Sequence, residues 1–338
     1  GLAIAAIRVA AFWGAVRAST SAPVAPIGTI LSRGMIKAGY DRAFATAVVC
    51  VASGLAIIIP PSITFIMYAV ITGVSVGAIF AAGFLPGFVI AACLMVSAYI
   101  TCRRKGYKAE EIHHSIAGFC KLVKDAFWAL LTPVIILGGI YGGICTPTEA
   151  AAVACFYGLF VGTVIYHRIS FKDLYEILVE TVKASAIIMF ICASAGLYSW
   201  IGSTVGLIEK SSSMLLSISS NEYVLLFMIY FILFIGGMLL DGVSMLYVFM
   251  PILMPLMAEY GWDPVWFGVM ITIMVAIGTI TPPVAMNLYV GCRITGMSIE
   301  EITPPVIPLM ISALIGLAFL TFLPGITLFL PRMLGLIS

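Results

Sequence analysis

Residues 12 to 61 read FWGAVRASTSAPVAPIGTILSRGMIKAGYDRAFATAVVCVASGLAIIIPP, and residues 234 to 283 repeat that text at one constant offset as FIGGMLLDGVSMLYVFMPILMPLMAEYGWDPVWFGVMITIMVAIGTITPP. Phe12, Gly14, Ile30, Leu31, Met35, Gly39, Asp41, Pro60 and Pro61 meet identical residues at Phe234, Gly236, Ile252, Leu253, Met257, Gly261, Asp263, Pro282 and Pro283. Aromatic residues flank the Asp in both copies, with Tyr40 and Phe44 answering Trp262 and Trp266. After one inserted residue the match resumes, and Thr72, Gly73, Ser75 and Ile79 meet Thr295, Gly296, Ser298 and Ile302. Duplication inside a very apolar chain points to a transporter built from repeats, with substrate held near mid-membrane between the copies. A duplicated scaffold without a ligand is the plainer alternative. Against it, the most polar stretch of each copy lies inside apolar text.

Composition sets the medium. Hydrophobic residues make up 62% of the 338 and charged ones 9%, with a mean hydropathy of +1.16. Soluble domains carry about 25% charged residues, so the reading is a polytopic membrane protein. The net charge of +2 implies no nucleic acid, and the few basic residues bear only on orientation. Cysteines at 50, 93, 102, 120, 145, 155, 192 and 292 are scattered through apolar runs without paired or His-adjacent spacing. They read as small buried hydrophobes rather than metal ligands or a disulfide frame.

Along the chain, the expected first repeat is 1–102: a hairpin over 1–38, a broken helix over 42–72 and a span over 77–100. Each arm of the hairpin around Arg17-Ala-Ser-Thr-Ser21 is too short to cross about 30 Å of hydrocarbon at about 1.5 Å per residue, so it reads as re-entrant. Pro60-Pro61 removes backbone donors and breaks the next helix. An interfacial arm helix follows over 103–125, then scaffold spans over 126–208 with a second arm over 171–182. Thr146, Pro147 and Glu149 fit a capping box between two of those spans. The expected second repeat is 221–338: a hairpin over 223–260 with its tip near Leu240-Asp241-Gly242, a broken helix over 264–292 and a span over 305–330. The segments 103–124 and 167–183 hold most Lys and Arg and are two spans apart, which puts both in the cytoplasm and makes the two copies inverted. The fold class is therefore all-α and polytopic, with two inverted repeats, each with a re-entrant helical hairpin and a Pro-Pro-broken helix.

Irregular backbone in each copy, the hairpin tip and the Pro-Pro break, carries the candidate chemistry. Helix N-termini offer N–H groups to anions, while helix C-termini and unwound carbonyls suit a hard cation such as Na⁺. The first candidate sodium shell is Ser19, Thr20 and Ser21 with carbonyls from Ala56 to Ile59, Ile58 among them; the second is Asp241 with the Gly278 carbonyl and the Thr281 hydroxyl. For the substrate, Arg17, Ser19, Pro60, Thr64 and Asn287 are the candidates. Arg17 could instead be an ion-pair partner of Asp241 or snorkel, and Asn287 could serve a helix-to-helix hydrogen bond. Asp41 and Asp263 read as helix caps. An intramembrane serine enzyme lacks a basic partner at depth, since His113, His114 and His167 lie in the basic segments. No cofactor is expected beyond Na⁺ as coupling ion.

At these residues the chain resembles the large membrane subunit of the tripartite ATP-independent periplasmic (TRAP) transporters. The resemblance rests on Gly-Ile-Cys-Thr-Pro-Thr-Glu-Ala-Ala-Ala at 143–152, Ile-Pro-Pro-Ser-Ile at 59–63, Thr-Gly-Val-Ser at 72–75, Lys-Ala-Gly-Tyr-Asp at 37–41 and Ile-Thr-Pro-Pro-Val at 280–284. It implies an elevator-type transporter of the ion transporter superfamily, sodium-driven uptake of an organic acid of the C4-dicarboxylate or sialic acid class, and a bacterial inner-membrane location. It further implies a small four-helix membrane subunit, a periplasmic substrate-binding protein, and more N-terminal helices ahead of Gly1. The family's first tip usually reads Ser-Gly-Ser-Ser-x-x-Asp. Here Ser19 and Thr20 keep hydroxyls, while Arg17, Pro23 and Ala56 depart. A carboxylate transporter working without a binding protein, and an anion channel, are the alternatives.

Overall fold

A computed structural model of the chain describes residues 1–17, 28–107, 116–219 and 221–337, with backbone alone for 13–17 and 116–123. The described residues are helical, without strands. They form two compact units, 1–110 with 195–338, and 111–194. Eight helices are long and apolar enough to cross a membrane among the described residues.

The larger unit starts with α1 (Leu2–Arg17), then a π-helical turn Gly28–Ser32 running into α2 (Arg33–Lys37). The first broken helix is α3 (Arg42–Ser53), α4 (Leu55–Ile58) and α5 (Ile63–Thr72), followed by the long α6 (Val76–Arg104). After the smaller unit come α10 (Leu207–Ile218), the paired helices α11 (Glu222–Leu239) and α12 (Gly242–Glu259), and a second broken helix, α13 (Pro264–Gly278) and α14 (Met286–Thr295). The chain closes with α15 (Ile299–Phe322) and α16 (Pro324–Met333).

Local geometry repeats along with the text. Gly39 and Gly261 take positive φ, 83° and 64°, and Gly73 and Gly296 do so again at 75° and 67°. Lacking Cβ, glycine enters this left-handed region without strain and can close a helix there. The Asp41 carboxylate then accepts from Ala43 N, as that of Asp263 does from Val265 N and Trp266 N. Both are the N-caps their sequence suggests. Pro60-Pro61 and Pro282-Pro283 are both cis. Ser75 and Ser298 cap α6 and α15.

Packing binds the two copies together. The broken helices form the interior: α13 is buried from Val265 onward and α3 from Phe44 onward. Each long span lies on the other copy's broken helix, α6 against α13 and α15 against α3. The Tyr68 hydroxyl donates to the Pro264 carbonyl at 2.7 Å, and the Arg42 guanidinium donates to the Thr295 carbonyl. Lys105, just past α6, pairs with Asp41 at 3.2 Å. Partial burial is the largest single influence and opposes its charge, but the hydrogen bonds and charges of Asp41 and Tyr107 together outweigh it and raise the ammonium's pKa.

The smaller unit holds α7 (Ile116–Tyr141), α8 (Pro147–Phe160) with a π-helical continuation Val161–Ile165, and most of α9 (Phe171–Thr204). The expected Thr146 and Glu149 box is present, Thr146 N donating to Glu149 Oε2 at 2.8 Å. Several expected boundaries move. The arm over 103–125 and the span after it merge into α7 from Ile116 onward, since nothing between Asp125 and Phe127 breaks a helix. The second arm, 171–182, likewise runs straight into its span as α9, and a separate helix, α10, follows Gly206. The last span begins at Ile299 rather than 305, because the Ser298 and Glu301 capping box starts the helix ahead of Pro304 and Pro305. It ends at Phe322, where Pro324 opens α16.

Tyr68→Phe should remove the hydroxyl that donates to the Pro264 carbonyl and lower stability by about 0.5 to 1.5 kcal/mol. Thermal unfolding in detergent micelles checks this; an unchanged midpoint contradicts it.

Candidate functional site

Proline chemistry shapes both breaks. Pro60 and Pro61 bring no N–H, so the carbonyls of Ala56 and Ile57 lose their helical donors. Ala56, Ile58 and Pro60 are all buried. The Ile58 carbonyl, one of the expected ion ligands, is turned toward α6: a Cβ built on Gly83 would stand 2.8 Å from it. Just past the prolines, the Ser62 hydroxyl is fully buried and has no hydrogen-bond partner.

At the second break the freed carbonyls find new donors. Thr281 N donates to the Gly278 carbonyl at 3.0 Å and Asn287 N to that of Thr279 at 3.2 Å. The Thr281 hydroxyl donates to the Ile277 carbonyl at 2.6 Å. Asn287 therefore ties α14 back to the end of α13, and its Nδ2 reaches Thr279 Oγ1 at 3.5 Å. Its Oδ1 is buried without a partner. Neutral acceptors left open inside a protein are costly unless water, an ion or a ligand fills them.

Both continuing helices, Ile63–Thr72 and Met286–Thr295, are 10 residues long. The inserted residue thus falls between Pro283 and Met286, and Thr64 and Asn287 each hold the second position of their half-helix. Two residues singled out separately in the sequence are one structural position in two copies.

The tip of the second hairpin is where α11 gives way to α12. Asp241 caps α12: Oδ2 accepts from Val243 N at 3.0 Å and Ser244 N at 3.4 Å, and Oδ1 accepts from the Ser244 hydroxyl. A carboxylate offers about four acceptor sites, so Oδ1 keeps one open. The tip is seated by close backbone approach. A Cβ on Gly278 would lie 2.6 Å from Gly237 Cα, and one on Gly242 would lie 3.4 Å from Thr64 Oγ1. Helix α11 is thereby pressed onto the second break, while Gly242, after Asp241, lies close to the Val275 and Thr64 side chains, Thr64 being just past the first break.

The structure accordingly brings Asp241, Gly278 and Thr64 into one neighbourhood, with Thr281 and Asn287 next to it on the second break. Ser19, Thr20 and Ser21 lie outside the described residues. Arg17 ends α1, and its side chain is likewise outside them. Sequence reasoning passed over Ser62 and Thr272, both fully buried with unpartnered hydroxyls. For Ser62 the signal was a polar residue directly after a Pro-Pro pair. For Thr272, inside an apolar run, there was none.

Spanning helices, two broken helices and a tip seated between them define a polytopic membrane protein with irregular backbone at its centre. The family model described as "Tripartite ATP-independent periplasmic transporter, DctM component" matches residues 1–326. The C4-dicarboxylate TRAP transporter large permease protein DctM of Pseudomonas aeruginosa is 36% identical over 99% of this chain and 78% of its own. The sialic acid TRAP transporter large permease protein SiaM of Vibrio cholerae is 36% identical over 93% and 74%. The isethionate TRAP transporter permease protein DctMQ of Oleidesulfovibrio alaskensis is 35% identical over 97% of the chain, which spans about half of it, 52%. The chain belongs to the tripartite ATP-independent periplasmic transporter family, DctM component. Its relatives are transport permeases, not enzymes.

Gly278→Ala should clash with the Gly237 backbone and cost about 1 to 3 kcal/mol. Gly138→Ala, where nothing lies within 4 Å of the added carbon, should be neutral or stabilising by up to about 1 kcal/mol. Melting of the two variants side by side tests whether this contact is as tight as described.

Proposed function

We propose that the chain is the large permease of a TRAP transporter in the bacterial inner membrane, taking up an organic acid of the C4-dicarboxylate or sialic acid class with Na⁺ as coupling ion. The observation that carries this reading is the seating of Gly242 on Thr64 and Gly237 on Gly278. It sets an anionic tip residue, Asp241, beside backbone opened by the prolines of both copies.

In this reading Na⁺ binds at Asp241 with oxygens of the second break, and at a first site formed by Ser19, Thr20 and Ser21 with the Ala56 carbonyl. Oxygen ligands and unwound carbonyls suit a hard cation. Ser62 joins the first shell, because its buried hydroxyl otherwise has no partner. Arg17 and backbone N–H groups take the substrate carboxylate, with Thr64 and Asn287 contacting the substrate from equivalent positions. The two copies run in opposite senses across the membrane, as the basic segments suggest, and the unit with both breaks moves against the rest in an elevator motion. A small four-helix membrane subunit and a periplasmic binding protein complete the machine, the latter delivering the acid. The relatives are named for substrates from C4-dicarboxylates and sialic acid to isethionate and ectoine.

Asn caps a helix as well as Asp does, so Asp241→Asn should keep the melting midpoint. It should also reduce sodium-dependent uptake in proteoliposomes by at least about tenfold, the order of one charge-assisted contact. Uptake and sodium dependence equal to wild type would remove Asp241 from the ion site. For Arg17→Ala, an increase in KM for the acid is expected, and an unaltered KM assigns Arg17 to structure. Saturable uptake at a fixed sodium-to-substrate ratio separates this mechanism from a channel.

A further inference from the structure

Where α6 and α15 run antiparallel on the larger unit, they leave a groove of about 640 Å³. The helices are clamped by Ser97 Oγ donating to the Pro308 carbonyl at 3.1 Å, and by Gly316 standing against Ile90 and Cys93. Apolar side chains line the groove, and they are open: Val96 is 58% exposed, Ile311 47% and Ile315 61%. At one end it closes on Arg104 and Lys105, where the apolar text of α6 stops.

Its dimensions select an occupant. From Ala92 to Arg104 the helix rises about 18 Å at about 1.5 Å per residue, close to the hydrocarbon depth of one leaflet, about 15 Å. Spread over that length, the volume leaves a cross-section of roughly 36 Å², well under the roughly 80 Å² of a helix about 10 Å across. A groove of that width takes a single hydrocarbon chain along its length. Charge then selects the head. Lys105 is held by Asp41, and Arg103 lies over the Tyr99 ring at 5.6 Å. Among the described residues the Arg104 guanidinium has no carboxylate partner. A planar fork of donors at the membrane surface, at the end of an apolar groove, matches a phosphate carried on an acyl chain.

We propose that this groove holds an anionic phospholipid, with one acyl chain along Val96, Ile100 and Ile311 and the phosphate held by Arg104 with Lys105 beside it. The site is separate from the two breaks and does not depend on what the protein transports.

Thermal unfolding of the full chain in detergent micelles, titrated with phosphatidylglycerol or phosphatidylcholine, tests it. Wild-type protein should be stabilised at a phosphatidylglycerol fraction about tenfold lower than for phosphatidylcholine, and glycerol 3-phosphate alone should have no effect. Arg104→Gln, at an exposed position, should abolish that preference and retain the weaker response common to both lipids. Ile311→Trp, which fills the groove, should weaken both lipids alike. Equal responses to the two lipids in wild type would overturn the proposal, as would an unchanged preference in Arg104→Gln. Stabilisation by glycerol 3-phosphate equal to that by the lipid, or an Ile315→Cys disulfide between two copies in membranes, would also overturn it.

Discussion

Backbone that has lost its helical partner, in a place where water cannot replace it, is the constraint the larger unit is built around. Each Pro-Pro pair removes two N–H donors from the middle of an apolar helix, and every polar group left open in hydrocarbon costs several kcal/mol. Such breaks are tolerated only when protein surrounds them. That explains why α3 and α13 are the most buried helices of the unit, and why each is covered by the long span of the other copy. It also explains the seating of the second hairpin, where Gly237 and Gly278 allow backbone to approach backbone and Gly242 packs against the Val275 and Thr64 side chains.

The two breaks answer the constraint differently. The second is closed on itself through Thr281 N, Asn287 N and the Thr279 hydroxyl. The first leaves a buried Ser62 hydroxyl unpartnered and has Thr64 where the second has Asn287. Duplication supplied one backbone plan, and side-chain divergence made the copies chemically unequal. A single solute lying between them would meet a different set of groups on each side.

How much of this the sequence carried depends on the kind of signal. The repeat, the caps at Asp41, Asp263 and Thr146, and the breaks at the prolines all rest on local chemistry, and all are present in the structure. The boundaries that moved belong to helices longer than their apolar text. Both α7 and α9 start in charged sequence and continue into apolar sequence without a breaker, so polarity changed while the backbone did not. Contacts such as Gly242 against Thr64 join residues far apart in the chain, and no local pattern announces them. The carbonyl of Ile58 shows the same limit from the other side: its chemistry was readable, but its direction, toward Gly83, is set by packing.

Asp241 is the residue where structure and chemistry meet most closely. Its carboxylate satisfies the first turn of α12, a role that by itself would account for an Asp at a helix start. Yet its counterpart in the first copy is Ser19, another good cap, so capping alone does not require a charge at this point of the repeat. A full negative charge near mid-membrane is expensive unless a cation or strong donors compensate it. Two backbone N–H groups and one hydroxyl cover part of that cost and leave an acceptor site on Oδ1 unused. What remains is an unused acceptor site on Asp241, at the tip that carries Gly242 close to Thr64, and it is this site that the proposed Na⁺ would occupy.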